Sequence, residues 1–161
     1  MPKQDAKEYF IQNAKDFVGE TVTLKGWAYS VRKGGKIWFL LLRDGTGIMQ
    51  CVITTFDADE ATFDLKTVIT QESAITVTGV VKEEPRSPGG YEMLVHSAEL
   101  VGLAQEYPIS KKEHGTDYLM DKRHLWLRSK RQHAIIRIRH TIVKAIRDYF
   151  DERDFTLVDT P

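Results

Sequence analysis

Three residues within GWAYSVRKGGKIWFLLLRDGTGIMQCVIT, residues 26–54, carry side chains suited to one kind of chemistry. Phe39 offers a flat ring, Gln50 an amide with donor and acceptor, and Arg32 a permanently charged planar guanidinium. An exposed aromatic ring is a platform for an unstacked base, an amide reads the base's edge, and a guanidinium holds a phosphate or stacks in its turn. Together they would hold single-stranded RNA. Each also has a plainer reading. A lone phenylalanine in a strand is usually core, and Gln50 and Arg32 alone are ordinary surface residues.

The strands that carry them decide between these readings. In KIWFLLLRD, alternation puts Trp38, Leu40 and Leu42 on one face and Ile37, Phe39, Leu41 and Arg43 on the other. In GIMQCVITT, Met49, Cys51 and Ile53 share a face, with Ile48, Gln50 and Val52 opposite. An unpaired amide is costly to bury, so Gln50 is placed outward. With the Trp38 face packed inside, Phe39 then lies outside, near Gln50.

The surrounding pattern defines the scaffold. Residues 4–18 predict a short helix, with Phe10, Ala14, Phe17 and Val18 at helical spacing and Gly19 as its stop, so that residues 1–19 cap one end of the strands after them. TVTLKGWAYSVR is a strand in which Gly26 marks a bulge or bend. DGTG is a tight turn. Residues 57–68 predict a helix with Asp57 and Glu60 as a capping box and Phe63 and Val68 toward the core. SAITVTGVVKEE and YEMLVHSAELVGL are strands joined by the loop PRSPGG. Five strands with a helix between the third and fourth is the order of the OB-fold, a five-stranded Greek-key barrel, here over residues 20–104. The fold class is mainly β with flanking helices. Fold alone does not give function.

Past the barrel, residues 105–128 lose their periodicity and read as a hinge. Ser129 and Gln132 predict a helix start, and Ile135, Ile138, Ile142, Ala145, Ile146 and Tyr149 recur at three- and four-residue spacing along it. The last residues, FTLVDTP, read as a short strand. A striped helix and an unpaired strand do not bury themselves on a small barrel, so residues 129–161 look like the first elements of a second domain.

Composition narrows the classes. The chain has 161 residues, 42% hydrophobic and 29% charged, as a soluble globular protein does. MPKQDAKEYF lacks a secretory pattern, and no apolar run approaches the roughly 18 residues that span a bilayer. Cys51 is the one cysteine, so no disulfide framework or cysteine metal site is available and a reducing, cytoplasmic home is the simplest expectation. The net charge of zero hides an asymmetry: residues 1–105 hold 11 basic against 14 acidic residues, and residues 111–147 hold 11 against 3. That basic stretch suits a polyanion or is simply a solvated helix. GGK at 34–36 lacks the spacing of a phosphate-binding loop. His114, His124, His133 and His140 lack zinc-ligand spacing, so no metal is expected.

GWAYSVRKGGKIWFLLLRDGTGIMQ resembles the anticodon-binding barrel of the class IIb aminoacyl-tRNA synthetases, the aspartyl, asparaginyl and lysyl enzymes. YPISKKEHGTDYLMDKRHLWLRS is similar to the hinge of the asparaginyl branch, and YFDERDFTLVDTP to class II motif 1, a helix and strand ending in a proline. The resemblance implies that Phe39 stacks on the middle anticodon base, a uridine, that Gln50 hydrogen-bonds it, and that Arg32 contacts the anticodon stem or a base. It implies a place for Glu92 near the first anticodon base. It also implies a homodimer contacted through Phe155, Pro161 and the helix before them, and tRNA(Asn) as partner. The family's ATP and Mg2+ chemistry sits on motifs 2 and 3, which these residues do not contain, so no catalytic residue is assigned and this chain alone is expected to be inactive. The competing readings are an aspartyl-tRNA synthetase fragment and a free-standing OB-fold binder of single strands.

Overall fold

In the computed structural model, which describes residues 9–109 and 112–159, the strands are β1 (Thr21–Arg32), β2 (Ile37–Arg43), β3 (Ile48–Thr54), β4 (Ala74–Glu83) and β5 (Tyr91–Gly102). They close into a barrel in the order β1-β2-β3-β5-β4. All neighbours are antiparallel except β3 and β5, which close the barrel in parallel through Gln50 opposite Glu92, Cys51 opposite Met93 and Val52 opposite Leu94. The alternation predicted for β2 holds, and that for β3 holds except that Val52, assigned to the opposite face, is buried too: Trp38, Leu40, Leu42, Met49, Cys51 and Ile53 are buried together. This is the OB-fold expected from the element order.

Each connection has a chemical cause. In the β2–β3 turn, Asp44 Oδ1 accepts from the backbone N–H groups of Thr46 and Gly47 at 2.8 and 3.0 Å, and Gly45 takes φ +88°. Its other oxygen accepts from Ile11 N at 2.7 Å and so ties the N-terminal segment to the barrel. That segment is a 3-10 helix, Ile11–Phe17, which buries Ile11, Ala14 and Phe17. The inner face is therefore one residue away from the predicted stripe at its start: Phe10 and Val18 are exposed and Ile11 takes the inner position. Residues 4–8 of that predicted helix lie outside the described residues.

Three further expectations are corrected. Gly26 is not the bulge. A Cβ there would sit 2.5 Å from the Arg43 carbonyl oxygen, so glycine is needed for close approach of backbones, while the register shift falls between Ala28 and Ser30. The helix after β3, α1 (Glu60–Asp64), is capped by Asp59, whose side chain accepts from Thr62 N at 2.7 Å. Asp57 instead accepts from the Thr54 hydroxyl at 2.6 Å. Val68, predicted to face the core, is 50% exposed, and Ile69 is buried in its place. Phe63 does pack against the core. Thr62 Oγ1 accepts from Ala98 N at 2.7 Å and fastens α1 to β5.

From Pro108 the chain forms a second compact unit. The stretch that reads as a featureless hinge holds two short helices, α2 (Thr116–Asp121) and α3 (Arg123–Trp126), with Tyr118 Oη donating to the Pro108 carbonyl at 3.0 Å. α4 (Lys130–Asp151) starts at Ser129, whose hydroxyl accepts from Gln132 N as the sequence predicts. Its apolar row, Ile135, Ile138, Ile142, Ile146 and Tyr149, is exposed. The strand expected after it does not form: residues 155–159 have no regular structure, because a strand needs a partner for its backbone groups and none of the described residues supplies one. Phe155 is exposed and meets Phe150 edge-on, with centroids 5.4 Å apart. Pro161 lies outside the described residues. Among the described residues, no helix is long and apolar enough to cross a membrane.

Candidate nucleic-acid interface

The outer face of β1, β2, β3 and β5 is laid out in two rows by the strand register. Arg32 lies opposite Phe39, Phe39 opposite Val52, and Val52 opposite Leu94. One pair along, Ser30 lies opposite Leu41, Leu41 opposite Gln50, and Gln50 opposite Glu92. Phe39 and Gln50 therefore share a face as expected, and they meet on the diagonal rather than directly.

Arg32 reaches this face only because of the bulge. Leu24 and Ala28 point inward, and unbroken alternation would send Arg32 inward as well. The extra residue, Tyr29, separates the pair Ala28–Leu42 from the pair Val31–Leu40, which returns Val31 to the core side. Arg32 is then exposed, with its guanidinium carbon 4.6 Å from the centroid of the half-buried Phe39 ring. A cation over an aromatic face at this distance is attractive, so the outer side of the platform carries a guanidinium in this structure.

The second row is a polar cluster. Gln50 Nε2 donates to Ser87 Oγ at 3.1 Å and to Glu92 Oε2 at 3.2 Å, and the Ser87 hydroxyl donates to Glu92 Oε2 at 3.4 Å. Gln50 and Glu92, assigned separately from the sequence, are thus brought together. Ser87 is a residue that sequence reasoning does not find. It belongs to the loop PRSPGG, whose prolines and glycines signal a turn and nothing about a side chain. Lys33 and Lys36, exposed in the β1–β2 loop beside Arg32, escape it too. Arg86, on the loop that carries Ser87, is also exposed and pairs with Glu84 at 3.1 Å. An aromatic ring, an amide and a carboxylate, rimmed by positive charge, can stack a base, read its edge and hold its phosphate.

Burial pushes the Cys51 thiol up to about 12, so it is not a nucleophile at neutral pH. Among the described residues, no group of three His, Cys, Asp or Glu side chains could hold a metal ion.

Barrel and face together define an OB-fold nucleic-acid-binding domain. Residues 22–101 match the family described as the OB-fold nucleic acid binding domain, and residues 115–161 match the class II tRNA synthetases (D, K and N). Its barrel is thus similar to one family and its C-terminal segment to the other. It is 55% identical over 151 residues to an asparagine-tRNA ligase of Desulforamulus reducens, covering 94% of this chain and 35% of that protein. To an asparagine-tRNA ligase of Sorangium cellulosum it is 57% identical over 145 residues, covering 89% and 32%. The crystal structure of asparaginyl-tRNA synthetase from Pyrococcus horikoshii complexed with asparaginyl-adenylate superposes with a TM-score of 0.87 at 32% identity, over 96% of this chain and 36% of that one. The chain thus spans about a third of the length of the curated relatives it matches.

Proposed function

We propose that this chain is the anticodon-recognising part of an asparagine-tRNA ligase, and that its barrel binds the anticodon loop of tRNA(Asn). The observation that carries the reading is the outer face itself, where Arg32 and Phe39 stand beside Gln50 and Glu92. Phe39 stacks the middle base, Gln50 bonds its edge, Glu92 lies toward the first base, and Arg32 moves from the ring to a phosphate. The identity to asparagine-tRNA ligases favours the asparaginyl branch over the aspartyl one. In the whole enzyme, ATP and Mg2+ would serve residues beyond these 161, a second subunit would cover the apolar row of α4 together with Phe155 and Pro161, and the enzyme would work in the cytoplasm.

The test is binding of a labelled anticodon stem-loop by fluorescence anisotropy across a series of salt concentrations. A loop bearing GUU binds, one with the middle uridine changed to cytidine binds more weakly, and the slope of log affinity against log salt shrinks by about one in Arg32→Ala. Equal affinity for the uridine and cytidine loops refutes the reading.

A further inference from the structure

The hydroxyl of Ser87 occupies a position that a loop residue does not reach by chance. Ser87 is 7% exposed, and its backbone is pinned on both sides: its N–H donates to the Glu84 carbonyl and its carbonyl accepts from Gly90 N–H, each at 2.9 Å. The hydroxyl thereby sits between two side chains of different strands, accepting from Gln50 and donating to Glu92.

The polarity of this cluster has one solution. An ionised carboxylate only accepts, so the Gln50 atom facing Glu92 Oε2 at 3.2 Å must be the amide nitrogen. Turning the amide over would set its carbonyl oxygen against that carboxylate. The Ser87 hydroxyl spends its hydrogen on Glu92 and offers a lone pair to the same nitrogen. The Gln50 amide nitrogen thus has its acceptors inside the protein, and the carbonyl Oε1 is the atom turned toward a ligand. The amide that could have turned either atom outward is held with its acceptor outward.

We infer that Ser87 is a positioning residue that locks the Gln50 amide with its carbonyl outward, so that this point of the face selects a base with an N–H on its edge. The inference rests on the reading that unstacked bases dock here. Its physical basis is orientation: a side-chain amide held by two acceptors has no alternative rotamer to sample, and the donor–acceptor choice is made before the base arrives.

Two measurements test it, one of which needs no RNA. In the first, the Gln50 side-chain NH2 signals are followed by 1H–15N NMR in the free protein. Ser87→Ala should move them, while Ser87→Thr, which keeps the hydroxyl, should leave them near their wild-type positions. Signals that Ser87→Ala leaves unmoved overturn the inference. In the second, two stem-loops are compared, one with uridine and one with N3-methyluridine at the middle position. Ser87→Ala should lower affinity for the uridine loop by roughly two- to tenfold, as for one hydrogen bond. The methylated loop, which has no N–H to offer, should keep its affinity, and Ser87→Thr should restore the ratio. Equal weakening of both loops means a merely structural serine and overturns the inference. Wild-type protein that binds neither loop refutes the RNA reading, and the NMR result then decides the positioning role by itself.

Discussion

Truncating Phe39 separates the platform reading from an ordinary half-buried phenylalanine. A base stacked on an aromatic side chain contributes about 1–3 kcal/mol by alanine substitution. In the free protein the Arg32 guanidinium already lies over the ring, 4.6 Å from its centroid, and an exposed cation–π contact is worth about 0.5–1 kcal/mol. An incoming base must lift that guanidinium away. The wild type bears this cost and Phe39→Ala does not, so the net loss in the variant is about 0.5–2 kcal/mol, roughly a 2- to 30-fold rise in Kd. The assay is anisotropy with the GUU stem-loop, with Phe39→Leu as a control that keeps apolar bulk without a flat face. A second arm repeats Phe39→Ala in an Arg32→Ala background, where nothing needs lifting, so the effect of losing the ring should grow by about 0.5–1 kcal/mol. A folded Phe39→Ala protein that binds like the wild type refutes the platform. An effect that shrinks in the Arg32→Ala background shows that the guanidinium stays on the ring in the complex, and the displacement argument is then wrong.

Gly79→Ala should lower stability by about 3 kcal/mol, the upper range of overpacking, because its Cβ would run into the Leu94 carbonyl oxygen; a wild-type urea midpoint would contradict this. Cys51 should resist thiol reagents at pH 8 in the native state and react fully in denaturant. The native thiol keeps its proton where the unfolded chain loses it, so stability should fall as pH rises from about 9 toward about 12, by about 1.4 kcal/mol per pH unit, and this slope should vanish in Cys51→Ala. The exposed row of α4 should make the 161-residue chain self-associate, as sedimentation equilibrium would show, and Ile138→Glu with Ile142→Glu should abolish it; a wild-type monomer at high concentration would contradict this.

The barrel was legible because a period of two admits few solutions. Once Trp38 points inward, Leu40 and Leu42 must do the same, and Phe39 is left outside. What alternation cannot supply is an irregularity, and the position of Arg32 depends on one. Gly26 attracted the bulge because glycine is the residue a sequence offers for such a break, yet the extra residue is Tyr29, and Gly26 answers to the Arg43 backbone. The same limit explains α1. Asp57 and Asp59 are both good caps by type, and what selects Asp59 is where Thr62 must stand to accept from Ala98, a contact between residues 36 apart. The failed strand after α4 is the same case from the other side: its residues have strand character, but none of the described residues offers its backbone a partner.

Ser87 marks the deepest gap between sequence and site. Its role depends on a parallel pairing of β3 with β5 that puts Gln50 beside Glu92, and on a turn that lowers a hydroxyl between them. No local pattern encodes that meeting. A carboxylate beside the amide also changes what the amide can say, since a glutamine read alone is ambivalent and one bonded to Glu92 is committed. Specificity on this face is therefore a property of the cluster, and Gln50→Glu, which would set two carboxylates within hydrogen-bonding distance, should disturb base selection and barrel closure together.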